Sequence, residues 1–208
     1  MTPGRRSIQV PYPDPGARAR LAERFSGRAR VRRHERFFSA TRVGDDARIV
    51  DIGCGTLGLR ALEAGRDITG VDVVERPGYP GPFVLADAAD GLPFADDEFD
   101  LAYCSSVIEH VPVERRAAFA AELRRVAKGW FVQTPARSFP IEPHALLPAA
   151  HWLPRGIRAR YWRLGAGGYA DEVELLSRRE LTDLFGPPVR ERLGPLTKSW
   201  ISIRPVGG

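Results

Sequence analysis

The chain has 208 residues, 43% of them apolar, with a formal net charge of +5. That is enough to bury one sizeable core, and it points to a single domain. No apolar run approaches the ~18–20 residues of a membrane-spanning helix, and the proline-rich, charged start has no apolar stretch behind it, which argues against a secretory signal. The charge is uneven: residues 1–48 carry 12 arginines against five acids, and the other 160 residues carry 19 bases against 21 acids. Such an arginine run is either a solvated helix face or an electrostatic guide for an acidic partner. Cys54 and Cys104 sit in apolar runs, as small buried hydrophobes of a reducing cytoplasm do.

Residues 1–16, with four prolines, read as an irregular arm. Residues 17–40 read as one or two helices lying against the domain rather than forming its core. An alternating pattern follows. Arg48–Ile52 reads as a strand, Leu57–Ala64 as a helix stopped by Gly65, and Ile68–Val71 as a strand ending at Asp72. Phe83–Ala86 and Glu98–Cys104 read as strands, Glu114–Ala127 as a helix stopped by Gly129, and Trp130–Thr134 as a strand. Residues 135–170 break the rhythm with five prolines and two aromatics among residues 135–154, a composition suited to a lid or substrate pocket. Ser177 and Glu180 form a capping box that opens a helix through Phe185, and Val189–Leu193 and Ser199–Arg204 read as antiparallel closing strands. The sum is an α/β fold: a mostly parallel, doubly wound sheet covered on both faces by helices. Its parts are an N-terminal arm and helices (1–46), a core (47–134), an inserted cover segment (135–170) and a closing helix and hairpin (171–208).

The chemistry centres on "VDIGCGTLGLRALEAGRDITGVDV", residues 50–73. Gly53 and Gly55 let a ligand approach the backbone at the end of the first strand, and Asp72, 19 residues after Gly53, ends the next strand where a carboxylate can take ribose hydroxyls. Gly53-x-Gly55-x-x-Gly58 also matches a dinucleotide fingerprint, so an NAD-dependent oxidoreductase is one reading. Asp51 speaks against it, because a carboxylate at the mouth opposes a pyrophosphate but suits the sulfonium and ammonium of S-adenosylmethionine (SAM). Asp87, ending the third strand, is placed to bond an adenine amino group, and "FDLAYCSS" brings Ser105 to the ligand edge.

Asp51-Ile-Gly53-Cys-Gly55-Thr56, Asp72, Asp87 with Gly91-Leu92-Pro93-Phe94, Glu98-Phe99-Asp100 and Ile108-Glu109-His110-Val111 together resemble the class I SAM-dependent methyltransferases. The similarity is greatest to the bacterial type 11 group related to ubiquinone-biosynthesis C-methyltransferases, and it covers about residues 47–134. The resemblance implies a seven-stranded, Rossmann-like sheet with an antiparallel last strand, and SAM contacts at Asp51, Gly53, Gly55, Asp72, Val73, Asp87, Ala88 and Ser105. One departure is that the third glycine of the motif is displaced by one residue, to Gly58. A SAM-fold protein that binds without transfer is the non-enzyme alternative.

Methyl transfer needs alignment and exclusion of water, with a base when the acceptor is a hydroxyl or acidic carbon. Glu142, His144 and His151, in the segment after the fifth strand, are the candidate bases, with His144 favoured because Glu142 lies two residues away. Their spacing matches no metal motif, so no metal is expected. Phe139, Leu146, Leu147 and Trp152 are expected to pack this cover. The acceptor is then a small or medium molecule with apolar surface, methylated on oxygen; the chain lacks a base-flipping motif, which disfavours nucleic acid.

Overall fold

A computed structural model describes residues 31–142, 147–162, 164 and 173–206, and counts below refer to these. Residues 31–41 are helical (α1). The strands are β1 (Arg48–Ile52), β2 (Asp67–Asp72), β3 (Phe83–Leu85), β4 (Phe99–Ser105), β5 (Ala127–Pro135), β6 (Ile141–Glu142), β7 (Leu147–Pro148), β8 (Val189–Leu193) and β9 (Leu196–Arg204). The helices after α1 are α2 (Arg116–Val126), α3 (Arg155–Trp162) and α4 (Arg178–Phe185). Seven strands make one sheet in the order β3-β2-β1-β4-β5-β9-β8, and β6 and β7 pair separately. Strands β1 to β5 are mutually parallel, while β9 runs antiparallel to both β5 and β8. The chain therefore winds outward from β1 in one direction and from β4 in the other, which leaves a crevice beyond their carboxyl ends.

Period-two alternation sends residues of each strand to opposite layers. Val50, Ile52, Ala102, Cys104, Trp130 and Val132 meet Phe119, Leu123 and Val126 of α2 and Leu181 and Phe185 of α4. Ile49, Leu101, Tyr103 and Phe131 face the other way and enclose Phe37 of α1. Phe37 is fully buried, edge-on to Tyr103 (5.1 Å between centroids) and Phe131 (5.6 Å). This corrects the expectation that the N-terminal helices only lie against the core: α1 supplies part of it. The arm, and the part of the expected helices before residue 31, lie outside the described residues.

Two local expectations also fail. Leu57–Ala64 is not a helix; residues 55–66 run as successive turns. The Leu59 amide donates to Asp51 Oδ2 (2.6 Å), and Gly58 takes φ +55°. A left-handed residue within the expected first turn breaks the run of helical dihedrals. Gly129, read as a helix stop, lies inside β5 opposite Leu101, because the chain passes from α2 directly into extended backbone at Ala127.

The displaced glycine has its reason here. A Cβ at Gly58 would stand 2.5 Å from Asp51 Oδ2 and 2.9 Å from Tyr79 Cε2. Gly58→Ala is therefore expected to lower unfolding free energy by ~2 kcal/mol, from the left-handed backbone and the clash together. Gly65→Ala, where a Cβ meets nothing within 4 Å, is the control and should change little. Urea titration of both variants measures the difference.

Candidate active site

A cavity of about 340 Å³ opens at the crevice on the α1 side of the sheet, lined by Arg33, His34, Asp51, residues 53–59, Leu62, Tyr103 and Ser105. Gly53 (φ +72°) and Gly55 (φ +60°) form its glycine loop. A Cβ at Gly53 would run into the Val107 side chain, whereas one at Gly55 would enter open space. Asp51 lies at the floor, 2% exposed, and burial pushes its carboxyl up to about 7; the Leu59 amide pulls it down and the charge of Asp72 raises it further. Burial, with the charges of Asp51 and Asp72, likewise pushes the Cys54 thiol up to about 12, so it is not a reactive thiolate.

Asp72, at the tip of β2, is 7% exposed and richly bonded. Its carboxylate accepts from the Gly55 amide (3.0 Å) and the Val74 amide (3.0 Å), and takes Arg76 through Nε (3.0 Å) and Nη2 (3.4 Å). Asp87, two residues past β3, accepts from the Ala89 amide (2.9 Å) and from Arg115 Nη1 (3.0 Å). Val73 is 63% exposed on the rim between these acids, and Ala88 is buried beneath. Ser105 donates to Gln133 Oε1 (2.7 Å).

Sequence reasoning thus brings Asp51, Gly53, Gly55, Asp72, Val73, Asp87, Ala88 and Ser105 to one edge of the sheet. It misses the partners. Gln133, buried at the end of β5, collects Ser105, Ser106 Oγ (3.2 Å) and Arg33 Nη1 (3.3 Å) on one oxygen. A polar residue directly after the apolar run Trp130–Val132 was its signal. Arg33, one of 12 arginines in residues 1–48, carried no distinguishing mark. It reaches the cavity because His34 bonds Glu63 (2.7 Å) and Phe37 anchors the helix. Arg76 and Arg115 were equally unmarked.

The cover segment is more structured than a loop. It holds the β6–β7 hairpin, a 3-10 turn over Ala150–Trp152 and α3. Glu142 is fully buried on β6. His151 Nε2 lies 3.0 Å from the Arg137 carbonyl, an arrangement in which Nε2 carries the proton. Burial holds its ring below the usual histidine range. His144 and Leu146 lie outside the described residues. Phe139 packs on the main core and Leu147 is buried with Ala150 and Trp162. Trp152, expected to pack the cover, is instead 52% exposed, held by its Nε1 on the Arg137 carbonyl (2.9 Å).

The donor set fits SAM and not a dinucleotide. A pyrophosphate needs a helix N-terminus after the glycine loop, and here that stretch is turns around a buried carboxyl. Two acids at adjacent strand tips suit ribose hydroxyls and an adenine amino group, and Asp51 suits a cationic methionyl end. Fold and site together resemble the class I SAM-dependent methyltransferases. Residues 50–132 match the family model described as "Methyltransferase domain", and this stretch of the chain is similar to such a domain. No curated protein matches the chain.

The fold is shared with solved structures at low identity. A Pyrococcus horikoshii protein is 17% identical, with TM-score 0.58 over 92% of this chain and 93% of that one. A Burkholderia thailandensis 1,6-didemethyltoxoflavin-N1-methyltransferase, solved with 1,6-didemethyltoxoflavin and S-adenosylhomocysteine, is 17% identical, with TM-score 0.55 over 94% and 92%. A SAM-dependent methyltransferase of Archaeoglobus fulgidus is 20% identical, with TM-score 0.52 over 81% and 67%. The share of such structures that this chain spans runs from 48% to 93%.

Arg76 occupies the carboxylate that ribose hydroxyls would use. Its ion pair is part-exposed and worth ~0.5–1 kcal/mol. Arg76→Gln is therefore expected to tighten SAM binding about threefold, measured by calorimetry; weaker binding would make Arg76 a ligand contact rather than a competitor.

Proposed function

We propose that this enzyme methylates an oxygen of a small or medium acceptor with apolar surface, held between the glycine-loop edge and the cover, residues 135–170, of a single domain. The reading rests on one observation above others: Glu142, a fully buried acid, lies on the hairpin that directly follows β5. β5 bonds the cavity residues Arg33 and Ser105 through Gln133 and ends two residues later at Pro135, so the cover leaves the sheet near the cavity. The bound cofactor supplies an electrophilic methyl on a sulfonium sulfur. Asp72 takes the ribose hydroxyls and Asp87 the adenine amino group, with Val73 and Ala88 flanking the base. Gly53, Gly55 and Ser105 border the methionyl arm, Asp51 faces its positive charge, and Arg33 is the cation for its carboxylate. Glu142, His144 and His151 are the candidate bases that take the acceptor's proton. His151 suits the role through its fixed tautomer and its lowered basicity, which keep Nδ1 unprotonated near neutral pH. The two free, buried cysteines accord with a cytoplasmic location.

Incubation with SAM carrying a 13C methyl, against apolar-ring acceptors that offer a hydroxyl, an amine or an acidic carbon, tests the assignment. The carbon shift of the transferred methyl identifies its new neighbour. Oxygen-bound label is expected, and label only on nitrogen or carbon rejects the oxygen assignment. Glu142→Gln should lower turnover at least tenfold while SAM affinity stays within about threefold. A fall in activity matched by an equal loss of folded protein would make Glu142 structural.

A further inference from the structure

Gln133 does something that the cofactor contacts above do not include. It is 1% exposed near the end of β5, and its single oxygen Oε1 takes three donors: Ser105 Oγ (2.7 Å), Ser106 Oγ (3.2 Å) and Arg33 Nη1 (3.3 Å). An arginine can only donate, so it is the amide's oxygen, and not its amine, that faces Arg33. An amide oxygen has two lone pairs, and three donors use it fully. Ser106 grips Gln133 twice, because its backbone amide also donates to the Gln133 carbonyl (2.9 Å). It does so at φ +59°, a left-handed conformation that a serine keeps only where its surroundings fix it.

The free end of this arrangement is Arg33. It lines the cavity, and its Nε is buried without a hydrogen-bond partner. Gln133 is the one hydrogen-bond partner of its guanidinium among the described residues, and no acid there pairs with it. The next residue of α1, His34, bonds Glu63 (2.7 Å), so α1 is tied on one side to β5 and on the other to the turns after the glycine loop. A part-buried guanidinium with one neutral partner is short of negative charge, and an anion in the cavity supplies it.

We infer that Gln133 is a positioning residue that sets the selectivity of the cavity: it holds Arg33 through a neutral oxygen, which leaves the guanidinium available to the cofactor's carboxylate and favours SAM over adenosyl ligands that lack one. This rests on the assignment of Arg33 to that carboxylate. The neutrality of the partner matters. An acid at position 133 would satisfy Arg33 inside the protein and oppose the incoming carboxylate. An apolar residue would release the arginine, whose rotamer freedom must then be lost on binding. Held in place, the planar fork meets a carboxylate with charge-assisted bonds at little further cost in order.

The full chain is titrated by calorimetry with SAM and with decarboxylated SAM, which keeps the sulfonium and the ammonium and lacks only the carboxylate. Wild type is expected to bind SAM about tenfold more tightly or better. Gln133→Leu should cut that preference at least fivefold, with the affinity for decarboxylated SAM within about threefold of wild type. Should Gln133→Leu melt early, Gln133→Glu is the second variant, since it still accepts from both serine hydroxyls. It should cut the preference further and bind decarboxylated SAM at least as well as wild type does. Arg33→Met tests the underlying assignment and must abolish the preference. If it does so while a folded Gln133 variant keeps the wild-type preference, the role of Gln133 is overturned and the assignment of Arg33 stands. Equal weakening of both ligands in the Gln133 variants overturns it too, because a mere support of the site does not read the carboxylate. A wild type without preference, or an Arg33→Met protein that retains it, overturns the assignment of Arg33 and the role of Gln133 together.

Discussion

Asp72→Ala is expected to weaken SAM binding about 30-fold or more. Ribose hydroxyls would donate two charge-assisted bonds to this carboxylate, together ~2–4 kcal/mol. The structure adds a second route to the same loss. Asp72 also receives the Gly55 amide, so the carboxylate that would take the ribose holds the glycine loop in place. Asp72→Asn keeps an acceptor for that amide and removes the charge, and should fall between wild type and Asp72→Ala. Calorimetry on the three proteins gives the order. Unchanged affinity in Asp72→Ala would remove Asp72 from the site.

SAM affinity should also depend steeply on pH, through Asp51. Its carboxyl titrates near 7 in the folded protein, against an ordinary value of 3.8, because it is buried. A cation placed beside it favours the ionised form and draws the value down, so binding releases a proton wherever the free enzyme holds one. Affinity is then flat above pH ~7.5 and falls by up to about tenfold for each unit below 7, roughly 25-fold between pH 7.5 and 5.5. Calorimetry in buffers of different ionisation enthalpy detects the proton directly. Asp51→Asn, which can still accept from the Leu59 amide, should flatten the profile; a profile unchanged in that variant would assign the proton elsewhere. The same group acts oppositely on the apo protein. Its folded value lies above its unfolded value, so its contribution to stability declines as pH rises from about 4 to 7 and is constant above. Asp51→Asn is therefore expected to melt higher than wild type at pH 8 while binding SAM less well.

Both results concern residues that could be found in the sequence, and their location shows why. Asp51, Asp72, Asp87 and Ser105 each stand at or near the carboxyl end of a strand. The strands are legible because alternation, flanking glycines and short apolar runs are local properties. Once four parallel strands are read in order, their tips must share one edge, so the candidate site follows from topology alone. The capping box is local in the same sense: Ser177 Oγ accepts the Glu180 amide (3.1 Å) at the start of α4.

What the chain order could not decide was set by contacts between distant residues. Whether 57–64 forms a helix depends on Gly58, which takes φ +55° at a point where a Cβ would meet Asp51 and Tyr79. Phe37 reads as one apolar residue in a polar stretch until Tyr103 and Phe131 close around it. Arg33 and Gln133 meet across 100 residues, and Arg115 reaches Asp87 across 28. Trp152 reads as a packing residue until the fold leaves it at the surface. Sequence determines which residues sit at strand tips, because backbone geometry repeats every two residues. Only the packed structure decides how those tips are charged, paired and covered, because burial and Coulomb interactions depend on distances in space that chain separation does not encode.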